Sequence, residues 1–146
     1  MLIRAILTIA VFLQALGCGH PPAPKAAQLP VPPATCSLFV GSASGNDESM
    51  AMRLAICPHE HGVSGWAHFE GKRSGWSMAE ITGFARPDGT LVLKDTKLVG
   101  QEAALGWQVC LNEFYEVRML DANTVEGEFR SGVCHDVARF ALKRAQ

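Results

Sequence analysis

The sequence predicts an all-β domain: a small antiparallel meander of about seven or eight strands, closed as an up-and-down barrel or packed as a sandwich, and stapled by disulfides. Three observations predict it. Apolar residues recur with a period of two in several segments, as in Met50, Met52, Leu54 and Ile56. Gly, Pro, Asp and Asn break these segments at about 8 to 12 residue spacing. Cys36, Cys57, Cys110 and Cys134 add an even set of thiols in a domain small enough to need cross-links.

The 146 residues are enough for one domain and too few for a multidomain enzyme. Thirteen Lys and Arg against fourteen Asp and Glu leave a formal charge of −1, so the basic surface that would neutralise nucleic-acid phosphates is missing. Nucleic acid is therefore excluded as an expected partner.

Residues 1–17 read as an export signal. Arg4 supplies a positive start, and Ala5 to Leu16 is an apolar run without a charge. At about 12 residues it would span roughly 18 Å as a helix, well short of the ~30 Å hydrocarbon core. Ala15-Leu16-Gly17-Cys18 resembles the lipobox of bacterial lipoproteins. The usual pattern has Leu three places before the cysteine and a small residue two before it, where this chain has Ala15 and Leu16. The resemblance implies cleavage before Cys18, which becomes the new N-terminus, and alkylation of its thiol by a diacylglycerol whose acyl chains, palmitate for instance, attach the chain to a membrane. Gly19 in place of an Asp is compatible, by resemblance to enteric lipoproteins, with sorting to the outer membrane, facing periplasm or surface. A plain secretory peptide cut nearby is the alternative.

Residues 18–35 form a spacer. Pro21, Pro22, Pro24, Pro30, Pro32 and Pro33 are six of the chain's eight prolines, and a segment so rich in proline builds no core. In the polyproline II form, at ~3.1 Å per residue, it would act as a semi-rigid arm between lipid and domain.

Residues 36–146 hold the β domain. Ser49 to Cys57 alternates, Pro58 to Gly62 turns, and Val63 to Glu70 returns with Val63, Gly65, Ala67 and Phe69 on one face, a hairpin pattern. Gly71 to Gly75 turns into a strand over Trp76 to Arg86, and Pro87-Asp88-Gly89 turns again before Thr90 to Leu93. Asp95 to Gly106 fits either a single helical turn around Glu102 to Leu105 or a longer loop. Within and just beyond it, Ala104 to Val109 resembles a strand of avidin-like barrels, a six-residue likeness that bears on barrel texture and carries over no biotin site. Tyr115, Val117 and Met119 alternate next, Asp121 to Thr124 turns, Val125 to Arg130 returns, and Ala138, Phe140 and Leu142 close the pattern.

The four domain cysteines admit three pairings, and the expected one is Cys36 with Cys57 and Cys110 with Cys134, because each pair brackets a sequence-local group of strands. The rival is a Cys/His site, since Cys57 lies near His59 and Cys134 precedes His135. Neighbouring side chains on a strand point to opposite faces, which speaks against it.

His59 and His61 flank Glu60 in a turn, so two imidazoles could ligate Zn²⁺ or Cu²⁺ if His68 or His135 supplied a third; otherwise they are a polar hairpin tip. No cofactor is implied. Asp88, Asp95, Glu113, Glu116, Asp121, Glu126, Glu128 and Asp136 show no pair at a spacing that places two together. Trp66, Trp76, Trp107 and Tyr115 are candidates to line a ligand cavity, Trp66 foremost because it lies opposite the Val63, Ala67 and Phe69 face.

The leading expectation is a non-enzymatic cell-envelope lipoprotein whose β domain binds an envelope protein or a small apolar ligand at the membrane surface. The alternatives are a periplasmic hydrolase built on histidine and carboxylate groups, and a metal-binding module using the His59 and His61 turn. An open, Trp-lined barrel mouth would favour small-molecule binding, and a filled barrel a structural or protein-binding role.

Overall fold

The computed structural model describes residues 29–45 and 48–146. The leader, Cys18 and the spacer up to residue 28 lie outside them. Eight strands follow in chain order: β1 (Ser37–Ser44), β2 (Ser49–His59), β3 (Gly62–Gly71), β4 (Gly75–Ala85), β5 (Leu91–Ala103), β6 (Glu113–Asp121), β7 (Thr124–Ser131) and β8 (Val137–Arg144). Each pairs antiparallel with its neighbours, and β1 pairs with β8 from Phe39 opposite Arg144 to Ser44 opposite Arg139. The sheet is thus a closed up-and-down barrel. Closure gives every strand two neighbours, which shortens the template for edge-to-edge aggregation to β5 beyond Lys94, where only β4 pairs with it.

The period-two pattern sets the inside. Met52, Leu54 and Ile56 of β2, Val63, Ala67 and Phe69 of β3, Tyr115 and Val117 of β6, and Ala138, Phe140 and Leu142 of β8 meet in one buried cluster with Phe39, Ile81, Leu93, Val125 and Phe129. Met119 does not join them. It still pairs with Val125, but it lies near the end of β6, just before a register shift ahead of Asp121, and is left exposed.

The region from Asp95 to Gly106 is neither a helical turn nor a loop throughout. It continues β5 to Ala103, and only the following 104–112 segment is a connection. Two bulges against β4 make Thr96 and Val99 extra residues and break the alternation that would have shown a strand. The avidin-like segment Ala104 to Val109 lies in that connection, so its likeness to a barrel strand does not correspond to a strand here.

Both disulfides pair as expected, Cys36 with Cys57 and Cys110 with Cys134. The first ties the chain entering β1 to the end of β2. Before it, Leu29 packs on the outer wall with Leu38, Ala55, Trp66, Met78 and Trp76, and the Cys36 amide donates to the Pro33 carbonyl at 2.8 Å. The end of the Pro-rich segment is therefore laid against the barrel.

Candidate ligand-binding site

The connections divide between two ends. The end carrying the β1–β2, β3–β4, β5–β6 and β7–β8 connections holds a half-enclosed cavity of about 130 Å³, bordered by Met50, Phe69, Ser77, Trp107, Val109, Cys110, Glu113, Phe129, Asp136 and Ala138, among others. Its floor is aromatic. Phe69 and Phe129 tilt against each other with centroids 4.9 Å apart, and both face Tyr115, at 6.4 and 5.8 Å. Below that floor the interior is filled by the buried cluster, so the barrel is solid at one end and open at the other.

The connections around the opening are fastened. The Glu48 carboxylate accepts from the Arg73 amide at 2.7 Å and the Ser74 amide at 3.2 Å, clamping the β1–β2 connection to β3–β4. The neighbouring Ser74 side chain foremost, then these backbone bonds and the Arg73 charge, hold its carboxyl below the ordinary range. The Cys110 to Cys134 disulfide joins the β5–β6 and β7–β8 connections, and the Cys134 amide donates to Ser131 Oγ at 3.0 Å. The Arg73 guanidinium lies 5.8 Å over the Trp107 ring. Leu105, Leu111 and Val133 on these connections are exposed and give the rim an apolar character.

Glu113 is the strand carboxyl that points into the opening and borders the cavity. Glu113 and Tyr115 stand two apart on β6 and share its inner face, and the Tyr115 hydroxyl donates to Glu113 Oε2 at 2.9 Å. The β5–β6 ladder runs only from Leu91 to Lys94, and where it stops the buried Asp95 carboxylate replaces a ladder carbonyl, Oδ1 accepting from the Glu113 amide at 2.7 Å. Burial among apolar groups pushes Glu113 up from 4.5 to about 7; the Tyr115 bond opposes this, and the Asp95 and Asp136 charges add to it. Burial likewise raises Asp95, against the backbone bonds it accepts, and raises Tyr115 well above its ordinary value.

Sequence reasoning missed the Asp95 and Glu113 pair. The available signal was phase: Asp95 follows Leu93 by two, and Glu113 precedes Tyr115 by two, so both acids occupy inward positions of their strands.

The predicted aromatic residues separate. Trp107 borders the opening, and Tyr115 is fully buried beneath it. Trp76 borders the cavity at the start of β4, while its ring packs on the outer wall, stacked on His68 at 6.1 Å between centroids. Trp66 is not among the lining residues. It faces outward opposite the core, as its phase required, but there it is buried in the outer cluster with Ala55 and Met78, against which Leu29 packs.

His59 ends β2 and His61 sits in the turn that follows at the filled end, both exposed, with the His61 amide donating to His59 Nδ1 at 3.3 Å. His68 is buried on the outer wall and His135 lies in the β7–β8 connection at the open end. Among the described residues no three His, Cys, Asp or Glu side chains group to hold a metal ion, because the imidazoles are spread over both ends and the wall. Cys57 and Cys134, the thiols of the Cys/His alternative, are consumed in disulfides.

Fold and site together define an eight-stranded up-and-down barrel with an acid-bearing apolar mouth. No protein-family model matches the chain, and no curated protein is similar to it.

Proposed function

We propose that this chain is a cell-envelope lipoprotein, cleaved before Cys18 and lipidated there, whose barrel is a non-enzymatic domain that takes the apolar part of a small molecule into its open end. The observation that carries the binding reading is the cavity itself: an aromatic floor, a half-enclosed opening and a few acidic groups at it, Glu113 foremost, the combination of apolar wall and sparse polar groups that marks small-molecule sites. Among the described residues the lining offers Glu113 no histidine and no free thiol as a catalytic companion, which favours orienting a ligand over acid–base chemistry. The two disulfides suit an oxidising compartment, and the Pro-rich residues suit an arm between a lipid at Cys18 and the domain.

Two measurements test it. Binding of small aromatic compounds, followed through Trp fluorescence, is expected to saturate and to be lost in Ala138→Phe, which fills the cavity; retention of binding in that variant contradicts the site. Labelled palmitate is expected in the wild type and absent from Cys18→Ser, and an unlabelled wild type contradicts the anchor.

A further inference from the structure

Building on the reading of the open end as a ligand site, we infer that its ligand is a small hydrophobic amine, with an aryl or short alkyl group seated between Met50, Phe69 and Phe129 and an ammonium group paired with the Glu113 carboxylate.

Size comes first. A cavity of about 130 Å³ is close to the ~150 Å³ engineered apolar cavity that accepts benzene, and well below the ~300 Å³ at which pockets for drug-sized ligands begin. It admits one ring or a short chain and leaves the rest of a ligand at the opening.

Charge comes second. Among the described residues the lining contains Glu48, Glu113 and Asp136 and no lysine, arginine or histidine, the Arg73 guanidinium lying over the Trp107 ring at the rim. Glu48 is occupied by the Arg73 and Ser74 amides and lies beside the Arg73 charge. Glu113 from β6 feels the negative charges of Asp95 on β5, itself near the Lys94 charge, and of Asp136 in the β7–β8 connection; opposite Glu113 on β7 stands the neutral Ser131. Among the described residues the five ion pairs join other residues: Arg86 with Glu116, Lys97 with Glu80, Arg118 with Glu126, and Arg130 and Arg139 with Glu128. A carboxylate ligand would add a charge of the same sign to this group. A cation would relieve the repulsion.

Hydrogen bonding comes third. Tyr115 donates to Oε2 of Glu113, and among the described residues no side chain donates to Oε1, which is left to accept from a ligand. An ammonium brings donors and no acceptor, matching a carboxylate that already accepts from the Tyr115 hydroxyl through one oxygen. Because Glu113 shares its proton with solvent near neutral pH, amine binding would release that proton at lower pH and so weaken as pH falls.

The test compares benzylamine, benzyl alcohol and benzoate against the purified protein at pH 8 by calorimetric titration. Benzylamine is expected to bind at least about tenfold more tightly than benzyl alcohol, with benzoate weakest, in keeping with a charge-assisted pair. In Glu113→Gln the amine and the alcohol are expected to come within about twofold of each other. In the wild type, amine affinity is expected to fall between pH 8 and pH 5 while alcohol affinity holds. Equal or tighter binding of the alcohol or benzoate, or a flat pH profile for the amine, overturns the inference and leaves the cavity reading standing. If none of the three binds, both fall. Should Glu113→Gln not fold, the wild-type ligand ranking and pH profile decide alone.

Discussion

Tyr115 and Glu113 occupy successive inward positions of β6 and are joined by a hydrogen bond of 2.9 Å, which places a phenol between the filled core and the open cavity. The hydroxyl stabilises the ionised carboxylate and so works against the burial that raises Glu113. Tyr115→Phe is expected to move the Glu113 pKa further above about 7, read from its side-chain carbon shift in an NMR pH titration. Loss of the bond should cost about 1–2 kcal/mol at pH 8, where the carboxylate is ionised, and less at pH 5. A fall in the Glu113 pKa contradicts the assigned geometry.

The same carboxyl makes stability depend on pH in a definite sense. Its folded value is raised above the ordinary 4.5, so its contribution is complete below 4.5 and lost as pH rises through about 7, a change of up to ~3 kcal/mol. His68 acts oppositely. Burial, with Arg53 nearby, depresses it, so its contribution is present above 6.5 and lost as pH falls through its lowered folded value. The wild-type curve mixes these with the raised Asp95 and the lowered Glu48, and the difference between wild type and Glu113→Gln isolates the first. In urea unfolding the variant is expected to gain relative to wild type as pH rises from 5 to 8; a constant difference contradicts the buried placement of Glu113.

The two disulfides should weigh alike in stability and unlike in the site. Sequence separations of 21 and 24 residues give about 3 kcal/mol each in the chain-entropy account. Replacing Cys36 and Cys57 by Ser is expected to lower stability by that order and leave ligand binding in place. Replacing Cys110 and Cys134 should lower it similarly and weaken binding as well, because that bond fastens two connections bordering the cavity. Equal binding by both variants contradicts the second expectation.

The outer and inner aromatic residues separate in the same way. Trp66→Ala empties the cluster with Ala55 and Met78, for an expected loss of about 3 kcal/mol by denaturant unfolding and no change in the ligand site. Trp107→Ala, at the opening, should cost little stability and reduce binding. The reverse pattern would place the ligand on the outer wall.

Much of the barrel was legible because each strand buries one face. Met52, Leu54 and Ile56 against Ala51 and Arg53 announce both the strand and its inward side. Closure was not legible, since pairing Phe39 with Arg144 depends on register between the ends of the chain. β5 was hidden by its two bulges, which shift the phase at Thr96 and Val99. Trp66 shows the limit of reading one strand at a time: its outward phase was correct, but the chain before Cys36 folds back to bury it. The acid site was obscured by distance, since Asp95 and Glu113 come together only through the short β5–β6 ladder.

The most direct test of the open end as a ligand site is a methyl-detected NMR titration of the protein with benzylamine. Saturable shifts are expected at the methyls of Met50 and Ala138, which border the cavity, with Ala55 and Met78 of the outer cluster unmoved. Shifts confined to Ala55 and Met78, or none at Met50 and Ala138 up to the solubility of the amine, would contradict it.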